Sequence, residues 1–461
     1  MEAPVRIVAW DSVEPEAAFA RLRGRRGVFW LDSSLRSGAG RFSIMGCEPF
    51  GVFRAFGGEC DFREGDASAR RCPGPPPEAF ERLLFAYQVA HDPGRPVPFC
   101  GGAVGFLGYD FGSLSASRPA AEGVDRMPDA HVAWHDAAAI WDHAEGRAWL
   151  VGAGWRRPPE EAIAELAGWL GQAVPVPEIP APRELRVLGD FSRERYVSAV
   201  ECVRARIAEG EIYQMNLAQR YRCALSEPPS QLYRRLRVLN PAPMGAYIDA
   251  GVCEVLSSSP ERFISVEGGR IRTFPIKGTR PRGRTAAEDA ANRSELAASE
   301  KERAELLMIV DLMRNDLGRI CRYGTVRVRR LHDLETFATV HHLVGEVEGD
   351  LRKGVGAAEL LRAIFPGGSI TGAPKVRAMA VIAATEPVPR GIFSGSVGYW
   401  SACGRIDLNI AIRTIVCHRG EAAFHVGAGI VWDSDPEREY EETLAKGAAL
   451  LAALGGKEWP K

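Results

Sequence analysis

The chain contains no uninterrupted run of the roughly 20 apolar residues that a membrane-spanning helix needs. Its first residues, Met1-Glu2-Ala3-Pro4-Val5, lack the basic start and apolar core of a secretory leader. Neither sign of charge is in excess, because 58 Lys and Arg against 59 Asp and Glu leave a net charge of −1. That balance gives no electrostatic footprint for nucleic acid or an anionic membrane. Ten cysteines are scattered over 461 residues without a Cys-x-x-Cys pair, and none stands between two glycines. A disulfide framework and a zinc site are therefore disfavoured, and reduced thiols in a cytoplasmic protein are expected. No repeat of about 20–50 residues is visible, which argues against a solenoid.

What is present is a globular composition, 46% hydrophobic and 25% charged. Residues 1–172 mix short β-like runs with glycine-rich turns and close on a predicted helix from Pro159 to Gln172. Residues 173–189 alternate proline with other residues and predict an extended connector. From 190 to 455, helical patterns (193–209, 286–318, 356–364, 375–386, 437–455) are separated by hairpin-like strand runs. Strands and helices do not alternate regularly, so a doubly wound parallel sheet is not expected.

The strongest chemical signal is Pro275-Ile276-Lys277-Gly278-Thr279-Arg280-Pro281-Arg282-Gly283. Phe263–Val266 and Ile271–Phe274, around Gly268-Gly269, predict a hairpin whose second arm leads into Lys277. Beside Arg280 and Arg282, burial and like charge would both favour the neutral, nucleophilic amine. Taken alone, the position is more simply read as a solvated strand-end charge.

Two Glu-x-x-Glu pairs, Glu302/Glu305 and Glu439/Glu442, lie on predicted helices. A spacing of three puts both carboxylates of a pair on one helix face. Two such faces would offer oxygen donors suited to Mg²⁺, although each pair alone is common on solvated helices. Phe365–Lys375 is a glycine-rich loop opening a helix, able to hold an anion or to be only a tight turn. Pro374 before Lys375 and Val376 after it exclude a P-loop. Arg413, in the apolar run Asp407–Ile415, is expected within a strand and needs an anionic partner, from a ligand or from the protein. His342, between His341 and Leu343, reads as a core residue or a catalyst.

Together these stretches resemble the chorismate-utilising enzymes, the family of the anthranilate, aminodeoxychorismate, isochorismate and salicylate synthases. The matching segments are Ile212–Gln219, Ser257–Phe263, the Lys277 motif, Asp311–Arg319, the Gly367–Lys375 loop, the Arg413 run, Gly427-Ala428-Gly429 and the Glu439/Glu442 helix. They occur in family order over about 190–455, and residues 1–172 resemble the region that accompanies them in the two aminating enzymes. The resemblance implies an α+β fold with two large, mainly antiparallel sheets packed face to face and helices outside.

It also implies roles. Lys277 stands where anthranilate synthases carry Ala and where the enzymes that aminate C4 of chorismate carry a covalent nucleophile. Gln214 stands where the water-using relatives have a Lys, which argues against water as nucleophile. Glu261 would be the general acid, and His342 would lie near the ring. Gln214, Thr279, Thr371, Tyr399, Arg413, Lys446 and the Gly427, Ala428 and Gly429 backbone would bind substrate. Glu302, Glu305, Glu439 and Glu442 would hold Mg²⁺. A separate glutamine amidotransferase subunit would supply ammonia, and no fused lyase is expected after the last helix. Leu31–Ser34 and Asn240–Met244 lie where anthranilate synthases form a tryptophan pocket, so tryptophan is a further candidate ligand.

Overall fold

Helix starts follow local chemistry. Pro15, Pro76, Pro159, Pro229 and Pro436 each open a helix, where the missing N–H costs nothing and the fixed φ helps. Ser192, Thr285, Ser299 and Asp435 cap others by accepting N–H groups of Arg195, Glu288, Glu302 and Arg438. The Ser299 cap corrects one expectation: 286–318 is two helices, Ala286–Ala298 and Glu300–Gly318. The computed structural model describes residues 5–11, 13–36, 40–111, 127–336 and 340–460.

Among the described residues, two twelve-stranded sheets form the middle of the molecule, and their named strand pairs are all antiparallel. The first runs Arg6–Ala9, Arg147–Gly152, Ala137–Asp142, Phe42–Gly46, Phe29–Asp32, Met244–Asp249, Glu254–Ser259, Thr414–His418, Glu421–Ile430, Gln214–Ala224 and Leu188–Gly189, with Gly372–Ala373 also on Gln214–Ala224. The second runs Ile276–Pro281, Val340–Asp350, Arg270–Thr273, Arg262–Glu267, Ile406–Asn409, Ser396–Ser401, Gly102–Leu107, Ala130–His135, Gly51–Phe56, Glu59–Glu64 and Arg70–Arg71. Arg327–Thr336 also pairs with Val340–Asp350.

The sheets face each other across an apolar layer to which Phe29, Ile44 and Val255 contribute from the first, and Val104, Phe106 and Val397 from the second. Helices cover both outer faces. Pro76–Ala86, Glu300–Gly318 and Ala357–Ile364 bury Phe80, Ile309 and Leu361 against the second sheet. Pro15–Leu22, Pro159–Leu170, Pro229–Leu239 and Pro436–Ala453 bury Phe19, Leu166, Leu232 and Leu450 against the first. This is the predicted α+β architecture. Both sheets take strands from 1–172 and from 190–455, joined at Phe29–Asp32 with Met244–Asp249 and at Gly102–Leu107 with Ser396–Ser401. Residues 173–187, between those segments, form no regular element.

Candidate active site

Two predicted site residues sit where the chain crosses between sheets. Glu261 lies between Glu254–Ser259 in the first sheet and Arg262–Glu267 in the second. Its N–H donates to Ser259 Oγ (3.2 Å), whose hydroxyl donates to Ile410 O (2.6 Å), tying this crossover to the next one. That second crossover, between Ile406–Asn409 and Thr414–His418, carries Arg413. Arg413 is therefore not within a strand as expected; it occupies a bend at φ +49°, a conformation that the local apolar pattern does not signal. Its guanidinium donates to Asn240 Oδ1 (3.3 Å), and no carboxylate among the described residues pairs with it. The anionic partner expected from within the protein is thus missing, which leaves the fork available to a carboxylate ligand.

Lys277 is not on the second hairpin arm either. That arm, Arg270–Thr273, ends before Pro275, and Lys277 belongs to a separate strand, Ile276–Pro281, which pairs with Val340–Asp350. Gly278, at φ +71°, makes a bulge between Lys277 and Thr279. Lys277 is opposite Leu343 and Thr279 opposite His342, so the bulge shifts the register by one residue between them. A side chain at 278 would meet Leu296 Cδ1 at 2.7 Å, so the glycine is needed for space as well as for φ.

The surroundings of Lys277 differ from those expected. Arg280 turns to Glu295 and Glu302, and Arg282 to Asp289. The nearest charge to Lys277 Nζ is Glu305 Oε2, at 3.3 Å, with both side chains largely buried. The amine reaches the first sheet: Lys277 Nζ and Gln214 Nε2 lie 3.2 and 2.8 Å from the point where a Cβ on Gly429 would stand. Gln214 is buried, and its Oε1 has no partner. Burial pushes the Glu261 carboxyl up to about 7, although a Ser369 hydrogen bond, the Lys277 charge and the Ile276 N–H all pull it down. A carboxyl poised there can give up a proton near neutral pH.

Glu302 and Glu439 lie in the first turns of Glu300–Gly318 and Pro436–Ala453, and Glu305 and Glu442 one turn further along the same helices. Burial and the charges of Glu305 and Glu442 raise Glu302. Burial also raises Glu439, opposed by the hydrogen bond from Ser434 (2.7 Å). Burial would raise Glu442 too, but the ammonium groups of Lys446, Lys277 and Lys301 outweigh it and the net shift is downward. The two helices thus aim carboxylates at one region, where Lys277 and Lys446 now supply the positive charge. Among the described residues, no three metal-ligating side chains converge closely enough to cage an ion. Hard oxygen donors in mutual repulsion fit Mg²⁺ in its usual manner, through one or two carboxylates with water and ligand oxygens completing the shell.

Thr371 is buried, and its hydroxyl donates to Gly367 O (2.9 Å) inside the loop, while its carbonyl accepts from Asn216 N–H (2.8 Å). Lys375, at the loop's end, is held by Asp316 and Ile364 O, a structural pairing. His342 shares a hydrogen bond with Thr279 Oγ1 (2.9 Å). Burial, then the Arg413 charge, push its imidazole down to about 4, so it is neutral at neutral pH. Lys446 Nζ donates to Gly427 O (3.1 Å). The ladder with Thr414–His418 stops at Phe424, so among the described residues no strand pairs with the far edge of 427–429. The side chain of Ala428 points the other way, into the helix-covered core, leaving only its backbone for binding.

Tyr399 is not brought to this group. It lines a cavity of about 1220 Å³ together with Leu31, Asp32, Ser33, Met244 and Asp407. Burial and the Asp407 charge hold its hydroxyl well above the usual range. In the same cavity Asp32 is spent within the protein, accepting from Arg237 (2.7 Å) and Tyr233 (3.1 Å). Ser369, Asn216 and Asn240 were not predicted as site residues; all three lie inside quoted motifs. Arg390, which ties Ile370 O to Asn216 O, had no sequence signal.

The fold is that of a solved enzyme, anthranilate synthase component I from Streptococcus pneumoniae TIGR4, with a TM-score of 0.79 and 31% identity over 97% of this chain and 99% of that one. The family described as chorismate binding enzyme matches residues 34–452, and the chain belongs to it. Aminodeoxychorismate synthase component 1 of Bacillus subtilis (strain 168) is 37% identical over 95% of this chain and 93% of its own. Anthranilate synthase component 1 of Acetivibrio thermocellus is 36% identical over 98% and 95%. Aminodeoxychorismate synthase of Streptomyces pristinaespiralis is 41% identical over 96% of this chain, which spans only 64% of that longer relative. No helix among the described residues is long and apolar enough to cross a membrane.

Proposed function

We propose that this protein converts chorismate and ammonia to 4-amino-4-deoxychorismate. The observation that carries the reading is the placement of Lys277 Nζ: over Gly429, beside Gln214, and close enough to Glu261 to act on its ionisation. The Lys277 amine attacks C2 of chorismate, the ring double bonds shift, and the C4–O bond breaks. Glu261 gives its proton to the departing hydroxyl, which leaves as water. Ammonia then attacks C4, the double bonds shift back, and the C2–N bond breaks with its electron pair returning to Lys277. The proton lost by the new C4 amine balances the one that Lys277 or Glu261 regains. A protein amine at C2 is what directs ammonia to C4; without it, ammonia would enter at C2.

Arg413, the Gly427–Gly429 backbone and Lys446 bind the substrate carboxylates, and Thr371 shapes that wall. Thr279 and neutral His342 flank the ring, and Gln214 faces the nucleophile. Glu305 and Glu442 would hold Mg²⁺, with Glu302 and Glu439 beside them, and the ion would hold the ring carboxylate and offset developing charge. A glutamine amidotransferase subunit supplies ammonia. Tryptophan, if bound, would occupy the cavity lined by Leu31–Ser33 and Met244; Asn240, in the same motif, touches Arg413.

One observation favours anthranilate synthesis instead: Lys277 is ion-paired with Glu305, as a plain countercharge would be. Incubating the protein with chorismate, Mg²⁺ and excess ammonium, with and without an added aminodeoxychorismate lyase, decides between them. Lyase-dependent 4-aminobenzoate supports the proposal, and fluorescent anthranilate formed without lyase supports the second reading.

A further inference from the structure

Asn216 has no part in the reaction as set out above, yet its surroundings are unusual. It lies on the strand Gln214–Ala224, two residues from Gln214 and on the same face of the sheet. Both side chains are at least nine-tenths buried, and Gln214 Oε1 and Asn216 Oδ1 are both without a hydrogen-bond partner. Buried amide oxygens left unpaired are uncommon and costly, by about 1–3 kcal/mol each. The floor beneath them is made of glycine. Asn216 Oδ1 stands 2.6 Å from the point where a Cβ on Gly427 would be, and Gln214 Nε2 2.8 Å from that of Gly429. A methyl group at either glycine would fill the space. Lys277 Nζ closes the Gly429 end, 3.2 Å from the same point.

The geometry points to a cradle for ammonia between the Gln214 and Asn216 amide oxygens, with Asn216 as a binding residue for the amine co-substrate. Residues two apart on a strand are separated by about 7 Å, so one small molecule midway between their heads lies about 3.5 Å from each, at the long end of hydrogen-bond reach. The cradle offers acceptors. Ammonia carries three N–H donors and one lone pair, so it can satisfy both oxygens and keep its lone pair for carbon. The proposal deepens the proposed function, on which it rests.

The test is steady-state kinetics of the full chain with ammonium chloride as the varied substrate and no glutaminase. Asn216→Val removes the acceptor with a residue suited to a strand. The KM for ammonia should rise about tenfold, one hydrogen bond's worth, with the KM for chorismate held within about twofold. An unchanged ammonia KM, or equal rises in both KM values, overturns the cradle. If Asn216→Val does not fold, the native protein still decides. Methylammonium, one carbon larger, should be a far poorer nucleophile than its basicity predicts, and equal use of the two amines overturns the proposal. The ammonia KM is read whichever aminated product forms, so anthranilate as product would sink the C4 reading while leaving the cradle standing. Absence of any ammonium-dependent consumption of chorismate would sink both.

Discussion

The Lys277 group and the cavity beside Tyr399 are both rich in charge, yet they close that charge in different ways. In the cavity, Arg41, Arg262, Arg270 and Arg405 are each paired with a carboxylate: Asp142, Asp407, Asp350 and Glu267. Around Lys277 the accounts stay open. Arg413 has only a neutral amide, four glutamates share a few ammonium groups, and two buried amide oxygens have no partner. The cavity holds about 1220 Å³ of space, and the other group holds the unfinished electrostatics. Chemistry that moves charge needs groups held ready for a ligand rather than satisfied by each other. Volume alone points to the cavity, and the proposed chemistry to the Lys277 group.

That contrast can be broken most sharply at Lys277. Lys277→Ala should abolish C4 amination, and native protein quenched with chorismate but without ammonia should show a covalent adduct by mass spectrometry that the variant lacks. Arg262→Ala, in the cavity wall, should retain turnover; equal losses in the two variants would erase the distinction. Next in size, Glu261→Gln should slow turnover by about 10²–10⁴-fold, the usual worth of a general acid. In the native protein kcat at saturating ammonia should fall as pH rises through about 7, where Glu261 loses its proton. A kcat profile flat through that range would remove Glu261 from the role.

Smaller is the effect of Glu305→Gln, which should move the Mg²⁺ titration of activity to higher concentration; an unaltered titration would contradict ligation there. Tyr399→Phe should be milder still. Chorismate kinetics should stay as they are, while any thermal shift produced by tryptophan changes. A rise in the chorismate KM would return Tyr399 to the substrate site. Smallest is a stability effect. Because burial lifts Glu261 from 4.5 to about 7, its contribution is fully present below pH 4.5 and is lost as pH rises through 7. Glu261→Gln should flatten that part of the melting-temperature profile.

Much of this was legible in the chain itself. Amphipathic periods gave most helices within a few residues, and the hairpin around Gly268-Gly269 is present. Each glutamate pair stands on one helix, because a three-residue spacing needs only a helix to bring two carboxylates to one face. The split at Ser299 was also written in the sequence, since Ser299-x-x-Glu302 is a capping pattern inside an otherwise continuous period. What could not be read depends on distant partners. The φ of Arg413 is set by a crossover between sheets, and the charge beside Lys277 comes from a helix in another part of the chain. The cavity draws its lining from segments as far apart as Leu31 and Asn409, which no local pattern connects.

The mixed strand order also governs how the protein must be made. The strand Gly102–Leu107 pairs with Ser396–Ser401, and Glu254–Ser259 with Thr414–His418. On the ribosome, early strands emerge with edges whose mates are still untranslated, and exposed edges invite pairing with the wrong neighbour. The last strand among the described residues is Glu421–Ile430, which carries Gly427 and Gly429. Assembly of the first sheet and completion of the glycine floor beneath Gln214 and Asn216 therefore coincide, on arrival of the last described sheet mate.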